Sequence, residues 1–201
     1  HSPMAKLPRN NEIKTGYYFL KANHGSGMFK RIRYPLSGDE LVCLERTCEE
    51  WLESNFGLPT GEWWYSAFQK EILIEEQVGV ESEPISWYFY TFGGVIGQIT
   101  AHRKGGLMDE LSWFDENFEI LTYQHPKTSR VKNIFLTQDA KNRLRLYASR
   151  IGRQFGFVRV DFLVDDNQNI YLGELTFAPT NALNYFSNER QKYLGSLWSQ
   201  S

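Results

Sequence analysis

The chain has 201 residues, of which 41% are hydrophobic and 23% are charged, a composition typical of a globular protein with its own core. Its 22 basic and 24 acidic residues give a formal net charge of −2, so no global positive field favours nucleic acid as a partner. No apolar stretch approaches the roughly 20 residues that span a bilayer, and we expect no membrane span.

The N-terminus and the cysteines carry information about origin and compartment. His1-Ser2-Pro3 before Met4 resembles a cloning remnant, and we assign residues 1–7 to a tag remnant and tail. Cys43 and Cys48 lie five residues apart in what reads as one helix, where their side chains diverge too far for a disulfide. We therefore expect a cytoplasmic protein with reduced thiols.

The first part of the chain reads as strands around one helix. Strands are predicted over 17–22 and 29–34, on either side of a loop that contains two glycines, and over 71–78. Between them, apolar residues spaced by three and four predict a helix over 39–55. Asp39 is its expected N-cap, and Gly57 follows its expected end.

The next part continues the alternation of strands and helices. Two strands are predicted within 87–100, turning at Gly93-Gly94, and a further hairpin is expected around residues 115–117. A helix is predicted over 138–155, with Thr137 as its N-cap and one apolar stripe along its length.

Two alternating strands, 157–164 and 170–177, flank a polar turn near the carboxyl end of the chain. This pattern predicts a hairpin. If the turn is centred just after Asn167, Asp161 stands directly opposite Glu174 on the neighbouring strand. Because side chains alternate along strands, both carboxylates then share the face away from the apolar residues.

Opposed carboxylates of this kind need something positive or a proton between them. Directly paired residues have Cβ atoms roughly 4.5–5.5 Å apart, a distance at which two negative charges destabilise each other. Mg²⁺ is one solution, because it is bound by one or two carboxylates together with phosphate oxygens. The other is a salt-bridge cluster in which Arg159, opposite Thr176, or a lysine neutralises the acids. Both interpretations remain open at this stage.

A glycine-containing loop follows Lys21. Its sequence, residues 24–28, is His-Gly-Ser-Gly-Met. Glycines allow backbone amides to close on an anion, and the lysine adds a point charge, so the segment suits a phosphate. An ordinary hairpin turn explains the same residues equally well, and the spacing of a P-loop or a dinucleotide fold is absent.

Taken together, these segments resemble the ATP-grasp enzymes, and more narrowly the TupA-like ATP-grasp family, which is associated with bacterial cell-surface polysaccharide genes. The similar stretches are LKANHGSGM, the strand 72–78, Arg159-Val160-Asp161 and residues 174–179. The resemblance implies an α+β ATP-grasp fold of two lobes, with largely antiparallel sheets, enclosing ATP. It implies a small lobe over 8–80, a large lobe over 81–201, and an N-terminal domain that is missing or very short.

The resemblance also implies roles for individual residues. Lys21 would contact the ATP phosphates, Asp161 and Glu174 would hold Mg²⁺, and Arg159 would act on the transferred phosphoryl group as a catalytic residue with Lys21. Cofactor contacts are expected from the glycine loop, which would cover the phosphates, and from the hinge that meets adenine: His24, Gly25, Ser26, Gly27, Met28, Glu75, Glu76, Gln77 and Val78. Arg103 and Asn181 are expected near the substrate.

Two departures from the family pattern bear on activity. Thr176 stands where the family usually has the asparagine of Glu-x-Asn, which leaves Asn181 as a candidate third metal ligand. Residues 86–90 read Ser-Trp-Tyr-Phe-Tyr where Asp-Tyr-Lys-Phe-Phe is expected, so two charged positions are lost.

The implied activity is an ATP- and Mg²⁺-dependent carboxylate-amine ligase that works through an acyl phosphate. Its substrates would be a small-molecule or saccharide carboxylate and an amine acceptor, and a partner chain would supply the missing N-terminal domain. The alternatives are a degenerate nucleotide-binding module, or a glycosyltransferase-associated protein in polysaccharide assembly.

Overall fold

The computed structural model describes residues 6–57, 63–67, 69–79, 85–103, 109–122, 129–179 and 186–198. Its backbone contacts divide the chain into a first unit, His1–Gln77, and a second unit, Val78–Ser201. Two antiparallel sheets and three α-helices lie within the described residues, which confirms the predicted α+β class. None of these helices is both long and apolar enough to cross a membrane.

The first unit is a three-stranded sheet packed on one helix. Its strands are β1 (Gly16–Ala22), β2 (Phe29–Tyr34) and β3 (Ile72–Glu76), in the order β2-β1-β3. Because side chains alternate along a strand, one face of the sheet is apolar and packs on α1 (Gly38–Glu53). The buried residues of this core are Leu7, Tyr18, Leu20, Ile32, Tyr34, Leu36, Leu44 and Cys48.

Helix α1 begins at Gly38, one residue before the predicted start at residue 39. Ser37 is the N-cap: its hydroxyl accepts from the Glu40 backbone N–H at 3.2 Å, and the Glu40 carboxylate accepts from the Ser37 N–H at 2.8 Å. This capping box satisfies two backbone donors, so the prediction of Asp39 as N-cap is wrong. The helix ends at Glu53, with Ser54 rather than Gly57 at its end.

The second unit is a five-stranded antiparallel sheet with two helices, α2 (Gln138–Gly152) and α3 (Asn188–Trp198). Its strand order is β6-β5-β4-β7-β8. The strands are β4 (Ser86–Phe92), β5 (Val95–Arg103), β6 (Glu110–Phe114), β7 (Phe157–Val164) and β8 (Ile170–Thr176).

The two faces of this sheet differ in chemistry. One face packs on α2 and forms a core that includes Trp87, Phe89, Ile99, Ala101, Leu144, Ala148, Val158, Val160 and Phe162. The opposite face, called the polar face below, carries Tyr88, Tyr90, Thr100, His102, Arg159, Asp161, Glu174 and Thr176, as the strand registers require. Helix α3 lies against this sheet, where Arg190 donates to the Gln98 side chain at 2.9 Å.

Other predicted boundaries hold with small shifts. Thr137 caps α2 as predicted, accepting from the Ala140 N–H at 3.1 Å, but the helix ends three residues before the predicted 155. The turn at Gly93-Gly94 is confirmed, with positive φ at both glycines as such a turn requires. The hairpin expected around residues 115–117 is confirmed as a single antiparallel bridge between Phe114 and Ile120.

Candidate active site

The β7–β8 hairpin places Asp161 opposite Glu174 and Arg159 opposite Thr176, which confirms the predicted pairs. The turn itself is centred on Asn167, half a residue earlier than predicted, because Val164 pairs with Ile170. An irregularity in the ladder next to Asp161 makes up the difference, with Gly173 as the extra residue of β8. The bulge places Glu174 on the polar face. In a regular ladder continued from Leu172, Glu174 would lie on the opposite face.

Asp161 and Arg159 form a two-point ion pair on the polar face. Arg159 Nε donates to Asp161 Oδ1 at 2.7 Å, and one terminal nitrogen donates to Oδ2 at 2.6 Å. The Arg159 side chain is only 14% exposed and the Asp161 side chain only 9% exposed. Burial raises the pKa of Asp161 to about 7, while Arg159 acts to lower it. Both carboxylate oxygens accept from the guanidinium, an arrangement that favours the ionised form of Asp161.

A hydroxyl links this pair to the second acid. Arg159 also donates to Thr176 Oγ1 at 3.1 Å, and Thr176 donates in turn to Glu174 Oε1 at 3.0 Å. Burial lowers the pKa of the Arg159 guanidinium, but the Asp161 carboxylate outweighs burial and the net pKa is raised. Glu174 is exposed. The two acids are therefore joined through a cation and a hydroxyl rather than in direct contact.

The oxygen donors of this site are of the type that Mg²⁺ prefers. Two opposed carboxylates, completed by phosphate oxygens and water, are an arrangement that Mg²⁺ accepts. Glu174 is open to solvent, whereas each oxygen of Asp161 accepts a hydrogen bond from Arg159 and offers a metal only its remaining lone pair. The part of the chain that the structure describes contains no group of three or more His, Cys, Asp or Glu side chains suited to a metal.

A tyrosine and a histidine extend the polar face beyond the predicted residues. Tyr88 stands opposite Asp161 on β4, and the guanidinium of Arg159 lies 4.3 Å from the centre of its ring. The Tyr88 hydroxyl lies 2.7 Å from His102 Nδ1, and His102 Nε2 lies 3.2 Å from Asp109 Oδ2. Burial raises the pKa of Tyr88.

This Tyr88–His102–Asp109 chain was not among the predicted site residues. The only signal was the departure at residues 86–90, which singled out position 88 as the place of a lost lysine. Alternation along β4 and β7 puts Tyr88 on the face of Asp161 only once the two strands are known to be neighbours.

In the first unit, Lys21 and Glu75 lie on the sheet face opposite α1 and form an ion pair with each other. Their predicted ligands were different, a phosphate for Lys21 and adenine for the strand that contains Glu75. The Lys21 ammonium also lies 6.0 Å from the centre of the Phe19 ring. Both side chains are partly exposed, so each is accessible to a ligand.

The predicted hinge residues lie at the end of β3. Gln77 accepts from Arg31 Nε at 2.6 Å, and the Arg31 guanidinium stacks 3.8 Å from the centre of the Tyr17 ring. Glu76 is exposed. Val78 is the first residue of the second unit.

The glycine loop is closed by a backbone hydrogen bond from the Ala22 N–H to the Met28 carbonyl at 3.0 Å. A Cβ at Gly25 would lie 2.8 Å from Met28 Sδ and 3.0 Å from a ring carbon of Phe56, so no side chain fits there without movement. Gly27 has a φ of 78°, which favours glycine. Ser26, between them, is exposed.

His24 faces inward from the loop. Its side chain is 1% exposed, with Nε2 2.8 Å from the Trp51 carbonyl oxygen of α1 and Nδ1 3.3 Å from Asn23 Oδ1. The described contacts of His24 therefore anchor the loop to α1.

Of the two expected substrate residues, Arg103 does not lie on the polar face. Arg103 stands opposite Glu110 and donates to its carboxylate at 3.1 Å. It neighbours His102 in β5, so its side chain leaves the sheet on the other face. Asn181 lies outside the described residues.

Comparisons with known proteins place these features in context. A family model described as TupA-like ATPgrasp matches residues 10–198. No curated protein matches the chain.

Solved structures show low similarity. The ATP-grasp ligase PsnB, complexed with a phosphomimetic variant of minimal precursor, Mg and ADP, is 10% identical with a TM-score of 0.45, over 92% of this chain and 47% of that one. D-alanyl-alanine synthetase A from Vibrio cholerae O1 biovar eltor str. N16961 is 17% identical with a TM-score of 0.40, over 92% of this chain and 52% of that one. The chain thus spans about half the length of both proteins.

Proposed function

The chain belongs to the TupA-like ATP-grasp family, and from this premise we propose that it is an ATP- and Mg²⁺-dependent carboxylate-amine ligase. The observation that carries the proposal is the arrangement of Asp161, Glu174 and Arg159 on one face of the five-stranded sheet. Two acids joined through a guanidinium and a hydroxyl are groups suited to charge compensation during transfer of a phosphoryl group to a carboxylate.

The proposed reaction has two steps. A carboxylate oxygen of the substrate attacks the γ-phosphorus of ATP, and ADP leaves. The amine nitrogen then attacks the carbonyl carbon of the acyl phosphate, inorganic phosphate leaves, and the nitrogen loses a proton. Little covalent work falls to the protein, so its contribution is positioning and charge compensation.

In this proposal the second unit supplies the charge compensation. Asp161 and Glu174 would hold Mg²⁺, which when bound offsets negative charge on the phosphate oxygens. Arg159 would exchange its hydrogen bonds with Asp161 for bonds to the transferred phosphoryl group. This exchange replaces one anionic acceptor by another, so the guanidinium remains paired throughout.

The first unit would bind the nucleotide. The ATP phosphates would take the place of Glu75 as the partner of Lys21, an exchange that costs little because the existing pair is partly exposed. The backbone amides around Gly25, Ser26 and Gly27 would cover the phosphates, with Met28 closing the loop. His24 would act through its anchor on α1, and residues 75–78 would meet the adenine, partly through their backbone groups.

A specific observation favours a second candidate, a nucleotide-binding module without ligase activity. Both oxygens of Asp161 are engaged by Arg159, as in the interpretation where a basic side chain neutralises the acids permanently. A module of this kind would bind ATP and never release ADP.

Substrate class, location and partners are further parts of the proposal. The family association favours bacterial cell-surface polysaccharide or peptide-polymer synthesis, with a saccharide or small-molecule carboxylate and an amine as substrates. The two free thiols, Cys43 and Cys48, are consistent with a cytoplasmic location. A partner chain would hold the acceptor.

The test is an ADP-release screen of amino acids against uronic-acid-containing acceptors, in the presence of Mg²⁺. Glu174→Gln is the matched blank, because it removes one charge at an exposed position and leaves the Arg159–Asp161 pair intact. We expect at least one pair of substrates to release ADP with the unaltered chain and not with Glu174→Gln.

A thermal-shift titration with ATP and Mg²⁺ separates the candidates. Stabilisation by the nucleotide without ADP release from any pair would favour the binding module. Absence of stabilisation, together with no effect of Asp161→Asn on ATP binding, would refute both candidates.

A further inference from the structure

A chain of three side chains leads across the polar face to the Arg159–Asp161 pair. It begins at Asp109, before β6, continues through His102 on β5 and ends at Tyr88 on β4. The contacts are 3.2 Å between Asp109 Oδ2 and His102 Nε2, and 2.7 Å between His102 Nδ1 and the Tyr88 hydroxyl. With Nε2 donating to the carboxylate, Nδ1 accepts from the phenol, so each contact has a donor and an acceptor.

Tyr88 contacts Arg159 through the face of its ring. The guanidinium carbon lies 4.3 Å from the ring centre, a distance typical of a cation-π contact. The edge of the same guanidinium carries the hydrogen bonds to Asp161 and Thr176. Stacking and hydrogen bonding therefore use different parts of the group and do not compete.

Packing alone does not account for Tyr88. Its ring also lies against the cluster of Tyr90, Phe92 and Leu194, where a phenylalanine would supply the same apolar contact. The hydrogen bonds from the Tyr88 hydroxyl to His102, and from His102 to Asp109, fix the orientation of the ring, which apolar contacts alone would not do. The ring thereby becomes a fixed platform beneath the guanidinium.

We propose that Tyr88 is a positioning residue that holds Arg159 for the transferred phosphoryl group, with His102 and Asp109 fixing Tyr88. This inference rests on the proposed function. When Arg159 releases Asp161, its face stays on the Tyr88 ring while its N–H groups turn to the phosphate oxygens. The platform thus limits the motion of the guanidinium to a change of hydrogen-bond acceptors.

The experiment compares the affinities of a non-hydrolysable ATP analogue and of ADP, both with Mg²⁺, in matched variants. Tyr88→Leu removes the platform, Tyr88→Phe keeps the ring and removes the anchor, and Tyr147→Leu is the control on α2. Because Arg159 would act on the γ-phosphoryl group, we expect Tyr88→Leu to weaken the ATP analogue about tenfold and ADP less than twofold. Tyr88→Phe should weaken the analogue about threefold, and Tyr147→Leu should change neither.

His102→Leu tests the anchor. Because Tyr88→Phe also removes a hydrogen bond with the Ser86 side chain, His102→Leu should weaken the analogue no more than Tyr88→Phe does, and the double variant should be no weaker than Tyr88→Phe alone. Equal losses for the analogue and for ADP in Tyr88→Leu, or an additive double variant, would overturn the proposal.

A readout without nucleotide tests the geometry directly. The Nε–H proton of Arg159 lies near an aromatic face, so its NMR signal should be displaced by the ring and identified by its loss in Arg159→Lys. We expect the displacement to persist in Tyr88→Phe and to vanish in Tyr88→Leu. If the displacement vanishes as expected but the unaltered chain binds no nucleotide, the stack stands and the proposed function fails. A signal unchanged in Tyr88→Leu would refute the stack itself.

Discussion

The two units hold their site charges in opposite ways. In the first unit, the Lys21 and Glu75 side chains are 35% and 46% exposed and form one ion pair. In the second unit, Arg159 and Asp161 are nearly buried and share two hydrogen bonds. An exposed pair contributes about 0–1 kcal/mol, whereas removing one partner of a buried pair costs about 3–5 kcal/mol. The first unit can therefore give up its internal partner for a ligand, while the second needs a replacement charge.

The largest effect should come from breaking the buried pair. Arg159→Met leaves the Asp161 carboxylate without its counter-ion, so we expect the free energy of unfolding of the second unit to fall by about 3 kcal/mol. Urea titration followed by hydrogen exchange of peptides from residues 157–176 measures this loss.

The double variant Arg159→Met with Asp161→Leu is the control for that loss. It replaces both charges by apolar groups, and it should regain most of the stability because no unpaired charge remains. A loss below about 1 kcal/mol in the single variant would mean that the buried pair behaves like an exposed one and would remove the contrast between the units.

The cysteines make the first unit separately observable, because both of them lie in it. Cys43 is exposed, whereas Cys48 is fully buried, and burial raises its pKa to about 11. We expect Cys48 to react with a disulfide reagent at least about a hundredfold more slowly than Cys43 at neutral pH, since the thiolate is the reactive form. Thiol counting over time checks this; two fast thiols in the native protein would contradict it.

The same thiol should make the first unit sensitive to alkaline pH. The folded state holds the Cys48 proton more tightly than the unfolded chain does, so this contribution to stability is complete below the unfolded pKa. It is lost as the pH rises toward about 11. Cys48→Ala should remove this dependence in urea titrations, and Cys43→Ala should leave it unchanged.

Helix caps should contribute equally to the stability of the two units. A difference between the units can then be attributed to their charged pairs. Ser37→Ala in the first unit and Thr137→Ala in the second each remove a side-chain acceptor for a backbone N–H. We expect each to lower the free energy of unfolding of its own unit by about 1 kcal/mol. Segment-resolved hydrogen exchange measures both, and a loss confined to one unit would show that the caps are not equivalent.

The smallest effect is expected for Lys21→Met. It breaks the exposed pair with Glu75 and should cost less than about 1 kcal/mol of stability. Under the proposed function the same variant should weaken ATP binding strongly, which calorimetry at constant Mg²⁺ measures. A large loss of stability would place Lys21 among the structural residues.

Much of this fold follows from local sequence patterns. Alternation in 157–164 and 170–177 defined the two faces of the hairpin, and the pairing of Asp161 with Glu174 is confirmed. The pairing depends, however, on an extra residue at Gly173 that compensates for a turn centred earlier than predicted. A glycine inside a strand often marks a bulge, but the register on either side of Gly173 depends on contacts between strands, which alternation does not reveal. The Ser37 cap was visible as Ser-x-x-Glu and was missed because the apolar pattern begins after it.

The candidate site is less accessible to sequence reasoning. The Tyr88–His102–Asp109 chain joins side chains 14 and 7 positions apart, and their proximity follows from strand order rather than from spacing. Likewise, the engagement of Asp161 by Arg159 depends on side-chain conformation, so sequence spacing left both metal binding and charge neutralisation open.

The extra residue in β8 has a consequence for insertions and deletions during evolution. Loss of Gly173 would straighten the strand and still leave Glu174 beside Asp161, because the residues on either side keep their partners in the ladder. Loss of Leu175 would instead send Thr176 toward the apolar side of the sheet. We therefore expect homologous genes to vary in length by one codon at position 173 and to keep a constant length over the three codons that follow.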